Sequence, residues 1–288
     1  WLPSAPLHVL LYKYLEWESV MPKFAHLPLI LKPDGNGKLS KRDGDRLGFP
    51  VFPLEWRDPQ SKEISSGYRE KGYFSESFVN MLAFLGWNPG NSKELFTMDE
   101  LIKEFSLERV GKSGAKFDPE KAKWFNQQYL RNKSNSELSS LMLKNCKYDV
   151  GNEYLEKVAE LMKERATFHH ELLSEDYFFK SFEDYDQKAF RKKWKSNSIS
   201  LVNEFFSELS SVKPFNAETI ENTFKSFIKK KEIGMGAILP CLRLILTGKG
   251  MGPSLFSIME LLGEEEVMNR FREKSIFFES LFLEKSHL

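Results

Sequence analysis

The chain has 288 residues, 41% of them hydrophobic, and its 42 Lys and Arg nearly balance 41 Asp and Glu for a net charge of +1. That apolar fraction, with 25 Phe, excludes a disordered chain, and the charge balance excludes a uniformly basic nucleic-acid binder while allowing a basic face offset by an acidic one. No apolar run reaches the ~20 residues of a membrane span. Two cysteines, Cys146 and Cys241, are too few for a disulfide framework or a four-Cys zinc site, which points to a reducing compartment, and no signal peptide is visible. The length suits roughly two domains of ~150 residues. Trp1 in place of a start methionine predicts a piece of a longer protein.

Taken in chain order, Leu7 to Trp17 is apolar and aromatic and reads as a helix after Pro6. Leu27 to Leu31 is a short apolar run with Pro28 near its start, a buried or edge strand. The turn Pro33-Asp34-Gly35-Asn36-Gly37 bounds it. Lys38 to Asp45 is polar and cationic and reads as a loop, and Arg46 to Gly67, with three prolines and no period, as an irregular excursion. From Ser75 onward the helical period dominates. Ser75 is an expected N-cap, Thr97 with Glu100 an expected capping box, and Asp118-Pro119 an expected helix start. Further helices are expected over 152–170, 198–210, 217–231, around Leu242 and Ile245 up to Gly248, over 253–262 ending at Gly263, and over 264–274. No alternation of any length appears after residue 70. The serine-rich stretch 134–140 is a candidate boundary.

The strongest local chemistry is Lys38-Leu39-Ser40-Lys41-Arg42. Two lysines three apart, with a hydroxyl between them on a glycine-flanked loop, can neutralise charge building on a phosphoryl group. The bland alternative is a solvated basic turn. The segment is not a Walker A loop, because Gly35-Asn36-Gly37-Lys38-Leu39 lacks that spacing. The histidines show no zinc-helix spacing and no metal-ligating set stands out; His26 reads as a hydrogen-bonded core residue, Cys146 and Cys241 as small core residues. No serine or cysteine nucleophile signature is present. Arg191-Lys192-Lys193-Trp194-Lys195, which interleaves an aromatic with four positive charges, and Lys229-Lys230-Lys231 suit unpaired nucleotides, whose bases stack and whose phosphates are neutralised; a solvated helix face is the alternative.

Several segments together are similar to the C-terminal part of bacterial-type glutamyl-tRNA synthetases, a class I family. They are Trp1-Leu2-Pro3-Ser4 with Pro6 and His8, Phe24-Ala25-His26-Leu27-Pro28, and Lys38-Leu39-Ser40-Lys41-Arg42, which resembles the family's form of the class I Lys-Met-Ser-Lys-Ser signature. Tyr68-Arg69-Glu70-Lys71-Gly72-Tyr73, Leu82 to Trp87, Phe117-Asp118 with Lys121, Trp124 and Asn126, and Gly234 to Gly263 continue the likeness over almost the whole chain.

The resemblance implies a mainly α chain: a short α/β remnant of the class I catalytic core, then an α-helical anticodon-binding region. It implies three parts: the end of the catalytic core and stem-contact region (1–67), a helical connection (68–135) and the anticodon-binding region (136–288). The implied reaction activates glutamate with ATP and Mg2+ and transfers it to tRNA-Glu, in a cytoplasmic monomer with no membrane role. Lys38, Ser40 and Lys41 would be the catalytic residues, with Lys41 and Trp1 at the nucleotide and Arg243 at the anticodon. Two departures go with it. No His-x-Gly-His motif is present, so a Rossmann half is expected upstream of Trp1 and this chain alone is expected to be inactive. About 15 to 20 extra residues near 47–66, by comparison with the family pattern, precede Tyr68. The alternative reading is a stand-alone helical tRNA- or protein-binding module without catalysis.

Overall fold

Residues 2–286 are described, in a computed structural model, together with all side chains in that range except those of Lys41, Arg42, Asp45, Lys285 and Ser286. Trp1, the expected nucleotide neighbour, lies outside the described residues. The chain divides into two compact units, residues 1–129 and 130–288.

In the first unit, helix α1 (Ala5–Tyr14) carries Pro6 in its first turn, where a missing N–H costs nothing. It ends earlier than the apolar pattern predicts, with Glu16 in the left-handed region at φ 58°. Strand β1 is only Ile30–Leu31, since Pro28 cannot donate to a ladder. It pairs in parallel with β4 (Ala115–Lys116), in the register Ile30↔Ala115 and Leu31↔Lys116. No described residue from 2 to 40 is buried.

Two sequence readings change at the segment that follows. Lys38 to Asp45 is not all loop, because helix α2 (Lys41–Leu47) starts at Lys41 and ends on Gly48 at φ 81°. Its stop signal is that glycine, while its start depends on a polar cap that charge density alone obscures. The excursion after it contains an antiparallel hairpin, β2 (Trp56–Arg57) with β3 (Ile64–Ser65), Trp56 opposite Ser65. Asp58 shapes its turn by accepting from Gln60 N and Ser61 N, both at 2.8 Å. Two-residue strands show no period, which is why the pattern hid them.

Helix α3 (Ser75–Ala83) is entered from Phe74, not capped by Ser75. The buried Asn126 reaches across to accept from Phe74 N (2.9 Å). Helix α4 (Met98–Glu104) has the expected box, Thr97 Oγ1 accepting from Glu100 N and Glu100 Oε2 from Thr97 N. Helix α5 (Pro119–Asn132) starts on Asp118, whose carboxylate accepts from Glu120 N and Lys121 N. Phe49, Phe117 and Phe125 form the centre of this unit's core.

The second unit is all helical among its described residues. Helix α6 (Asn135–Leu143) begins on the Ser134 cap, so the serine-rich stretch is a helix start. Helix α7 (Asn152–Met162) stops well before His170. Helices α8 (Gln187–Lys193), α9 (Ser198–Leu209), α10 (Ala217–Lys230) and α11 (Leu239–Thr247) follow. The last segment, α12 (Leu255–Ser286), is two helices joined at Gly263, whose backbone (φ 79°, ψ 162°) is not helical. It therefore runs past Lys274, where the sequence reading ended it. Phe205, Phe224 and Phe227 are fully buried at the centre of this unit. Rings pair around them, with Phe206 on Phe271 at 3.9 Å.

Candidate functional site

The lysine-rich pentad sits at a turn between a strand and a helix. Leu39 N donates to Ile30 O (2.8 Å) and Lys32 N to Gly37 O (3.1 Å), so the segment folds back along β1. Gly35 and Gly37, at φ 81° and 86°, take the left-handed positions of that tight return. On its other edge β1 is held by Ala115 N and Phe117 N, which donate to Leu29 O and Leu31 O. Lys38 is exposed beside Leu31. Ser40 caps α2 and Lys41 is its first residue.

One carboxylate organises this turn. Asp43 is 8% exposed. It accepts from Ser40 Oγ (2.6 Å), Ser40 N (2.9 Å) and Arg46 Nη2 (3.0 Å), with Lys32 Nζ 3.5 Å away. The Ser40 hydroxyl and amide first, then Arg46 and Lys32, hold its carboxyl well below the usual carboxylate range. Next to it, a Cβ on Gly44 would stand 2.2 Å from Val51 Cγ2 and 2.7 Å from Phe49 O, so α2 is pressed against the start of the hairpin segment. A cleft of about 740 Å3 lined by His8, Phe24, His26 and Leu27–Leu29 leads into β1. His26 is exposed there and is not the core residue its apolar neighbours predict.

Arg243 projects from α11 into a recess of the second unit. Its Nη2 donates to Pro253 O (2.7 Å), while the buried Nη1 has no partner. A Cβ on Gly252 would lie 2.8 Å from Nη1, so any other residue there would displace the guanidinium. Burial lowers the pKa of Arg243, and the cation of Arg165 lowers it further. Burial pushes the neighbouring Tyr177 hydroxyl up. The recess thus combines a poorly hydrated guanidinium, a phenol and an exposed second arginine.

Residues 124–274 match the family described as the anticodon binding domain, and residues 1–124 that of class I (E and Q) tRNA synthetase catalytic domains. The glutamate–tRNA ligase of Parabacteroides distasonis is 52% identical over 94% of this chain and 55% of its own length. That of Cytophaga hutchinsonii is 47% identical over 94% of this chain and 54% of its own. A crystal structure of a glutamate tRNA ligase from Elizabethkingia meningosepticum, in complex with its amino acid, superposes with a TM-score of 0.87. It is 46% identical and covers 96% of this chain and 55% of that one. The chain belongs to the glutamyl-tRNA synthetase family. It spans about half the length of the curated relatives it matches, as a C-terminal portion with a class I catalytic segment and an anticodon domain.

Within this family member, the sequence-predicted residues fall in separate units: Lys38, Ser40 and Lys41 in the first, Arg243 in the second. The Lys41 side chain lies outside the described residues; its backbone opens α2. Sequence reasoning did not single out Asp43, although its spacing from Ser40 is that of a capping box. Nor did it single out Lys32, Arg165 or Tyr177, which only folding brings to their partners. The Trp194 reading is overturned. The ring is 3% exposed and packs on Phe278 (5.2 Å) and Phe190 (5.6 Å), so it offers no platform for a base. Lys230 is paired with Glu208 and Lys231 with Glu204. Cys241 is buried as expected, whereas Cys146 is half-buried.

Proposed function

We propose that this chain supplies the ATP-loop and anticodon-reading parts of a cytoplasmic glutamate–tRNA ligase. The observation that carries the reading is the strand-to-helix turn in which Lys38 and Lys41 flank a capped Ser40. Activation joins the glutamate carboxylate to the α-phosphate of ATP and releases pyrophosphate; the 3′ end of tRNA-Glu then takes the glutamyl group from the adenylate. Negative charge grows on the departing phosphates, and two ammonium groups on one turn can stabilise it. Lys38 and Lys41 have that role, Lys41 at the nucleotide, while Ser40 sets the start of α2. The cleft between His8 and His26 is wide enough for the nucleotide's apolar end. Among the described residues no three His, Cys, Asp or Glu side chains could together hold a metal ion. Mg2+ would enter on the nucleotide's phosphates, as it commonly does.

Residues 1–67 would be the end of the catalytic core with its stem contact, 68–135 the helical connection and 136–288 the anticodon reader, in a monomer. Arg243 would read the anticodon: its side chain is only partly buried, and a guanidinium can both hydrogen-bond a base edge and stack on it. No described helix is long and apolar enough to cross a membrane.

The test is a titration of this chain with the tRNA-Glu anticodon stem-loop and with a loop of unrelated anticodon, at two salt concentrations. Tighter binding of the Glu loop, cut about tenfold by Arg243→Ala with little change in salt slope, is the expected result. Equal affinity for both loops, or an Arg243→Ala chain that still discriminates, would overturn the base-reading role.

A further inference from the structure

We infer that Asp43 is the positioning residue of the ATP loop, and that Ser40 acts through it rather than on the nucleotide. The inference rests on the reading of Lys38 and Lys41 given above and deepens it.

Four groups converge on one carboxylate. Both polar hydrogens of Ser40 are spent on Asp43 Oδ2, at 2.6 and 2.9 Å, so the hydroxyl is committed to a cap. Asp43 Oδ1 takes Arg46 Nη2 at 3.0 Å from the far end of the same helix, and Lys32 Nζ at 3.5 Å from beside β1. The carboxylate therefore ties the first turn of α2 to its last turn and to the strand. Directly behind it, Gly44 leaves no room between α2 and Val51. A seven-residue helix is too short to hold itself in water. Its direction, and with it the point from which the Lys41 side chain departs, is set by these contacts. Charge-assisted bonds are the strong ones, and a serine acting alone could not span from strand to helix end.

The chemistry explains why this position takes an acid in a loop meant for phosphates. A bare carboxylate beside Lys38 and Lys41 would repel the nucleotide. Here its charge is matched by Arg46 and Lys32, and its two oxygens face the protein, 11% of the side chain being accessible.

The experiment uses the full-length synthetase that carries this chain, with aminoacylation of tRNA-Glu followed as ATP is varied. Asp43→Asn keeps the size and removes the charge that holds Arg46 and Lys32. It is expected to raise the KM for ATP about tenfold, with a smaller fall in kcat and unchanged KM for glutamate and tRNA. Ser40→Ala should show the same split. The double variant should be no worse than Asp43→Asn alone, because both changes break one unit. Lys41→Ala should abolish activity whatever the ATP concentration. Additive losses in the double variant, or an Asp43→Asn enzyme with unaltered KM for ATP while Lys41→Ala is dead, would overturn the positioning role and leave the loop assignment standing. An active Lys41→Ala enzyme would remove the loop assignment and this inference with it. Equal melting curves for Asp43→Asn and the parent show that the KM change is not unfolding. An Asp43→Asn protein that fails to fold is replaced by Ser40→Ala, whose KM for ATP then decides.

Discussion

The region around the lysine-rich turn and the helical unit that carries Arg243 are built on opposite principles. From residue 2 to residue 40 no described side chain is buried, and the turn that follows is held by one carboxylate, one cap and two strand bonds. The second unit is held by rings and aliphatic chains that water does not reach, among them Phe205, Phe224, Phe227 and Leu246. Even its polar anchor is interior. Arg270, 2% exposed, donates to Tyr177 O (2.7 Å) and Leu246 O (2.9 Å) and pairs with Glu266. The contrast follows from exposure. A turn with no buried apolar side chain of its own has little but directional bonds to hold it. A recess that orients one guanidinium is kept in register by dense packing around it.

That comparison can be broken at its strong end first. Phe205→Ala should destabilise the second unit by ~3–5 kcal/mol, because the surroundings cannot collapse into the lost ring volume. Denaturant unfolding followed by amide exchange in α9 and α10 reads it, and a loss under ~1 kcal/mol would mean that packing does not carry this unit. Arg270→Leu comes next, at about 3 kcal/mol, since it strands two buried carbonyls. A neutral outcome would show that the interior anchor is dispensable. In the first unit, Asn126→Ala should cost about 2 kcal/mol, leaving Phe74 N without its acceptor at the entrance to α3. The same exchange measurement over residues 74–84 checks it.

The smallest effect is the most specific. The Asp43 carboxyl is held below its ordinary value, so its bonds contribute fully above the unfolded carboxylate pKa near ~3.9 and are lost as pH falls through the lower folded value. Amide protection over 40–47 should therefore be constant from pH 7 to about 4 and fall only below that, while protection in α11 stays flat. Loss of α2 protection between pH 7 and 5 would place some other group in control of the turn.

Ser40, Thr97 and Ser134 illustrate how far local signals reach. At Thr97 the box with Glu100 forms as read, whereas the same spacing of Ser134 and Glu137, read as a boundary, proves to be a helix start. At Ser40 the same spacing is present with Asp43, but the surrounding lysines masked it as a loop. The expected helical C-terminal region is present, and Gly248 ends α11 where a C-cap glycine should, at φ 70°. Trp194 failed because basic neighbours do not tell which way a ring points; α8 turns it inward onto Phe278.

The sequence by itself determined the mainly helical class, most helix starts and stops, and the family. These are read within a few residues of chain, where caps, periods and motifs act. Only the tertiary structure decided that Ile30 pairs with Ala115, that residues 56–65 form a hairpin, that Arg165 and Tyr177 stand by Arg243, and that Asp43 gathers Lys32, Ser40 and Arg46. Those pairings join positions with no periodic relation to each other. They form because burial and charge neutralisation are satisfied across the folded chain and not along it.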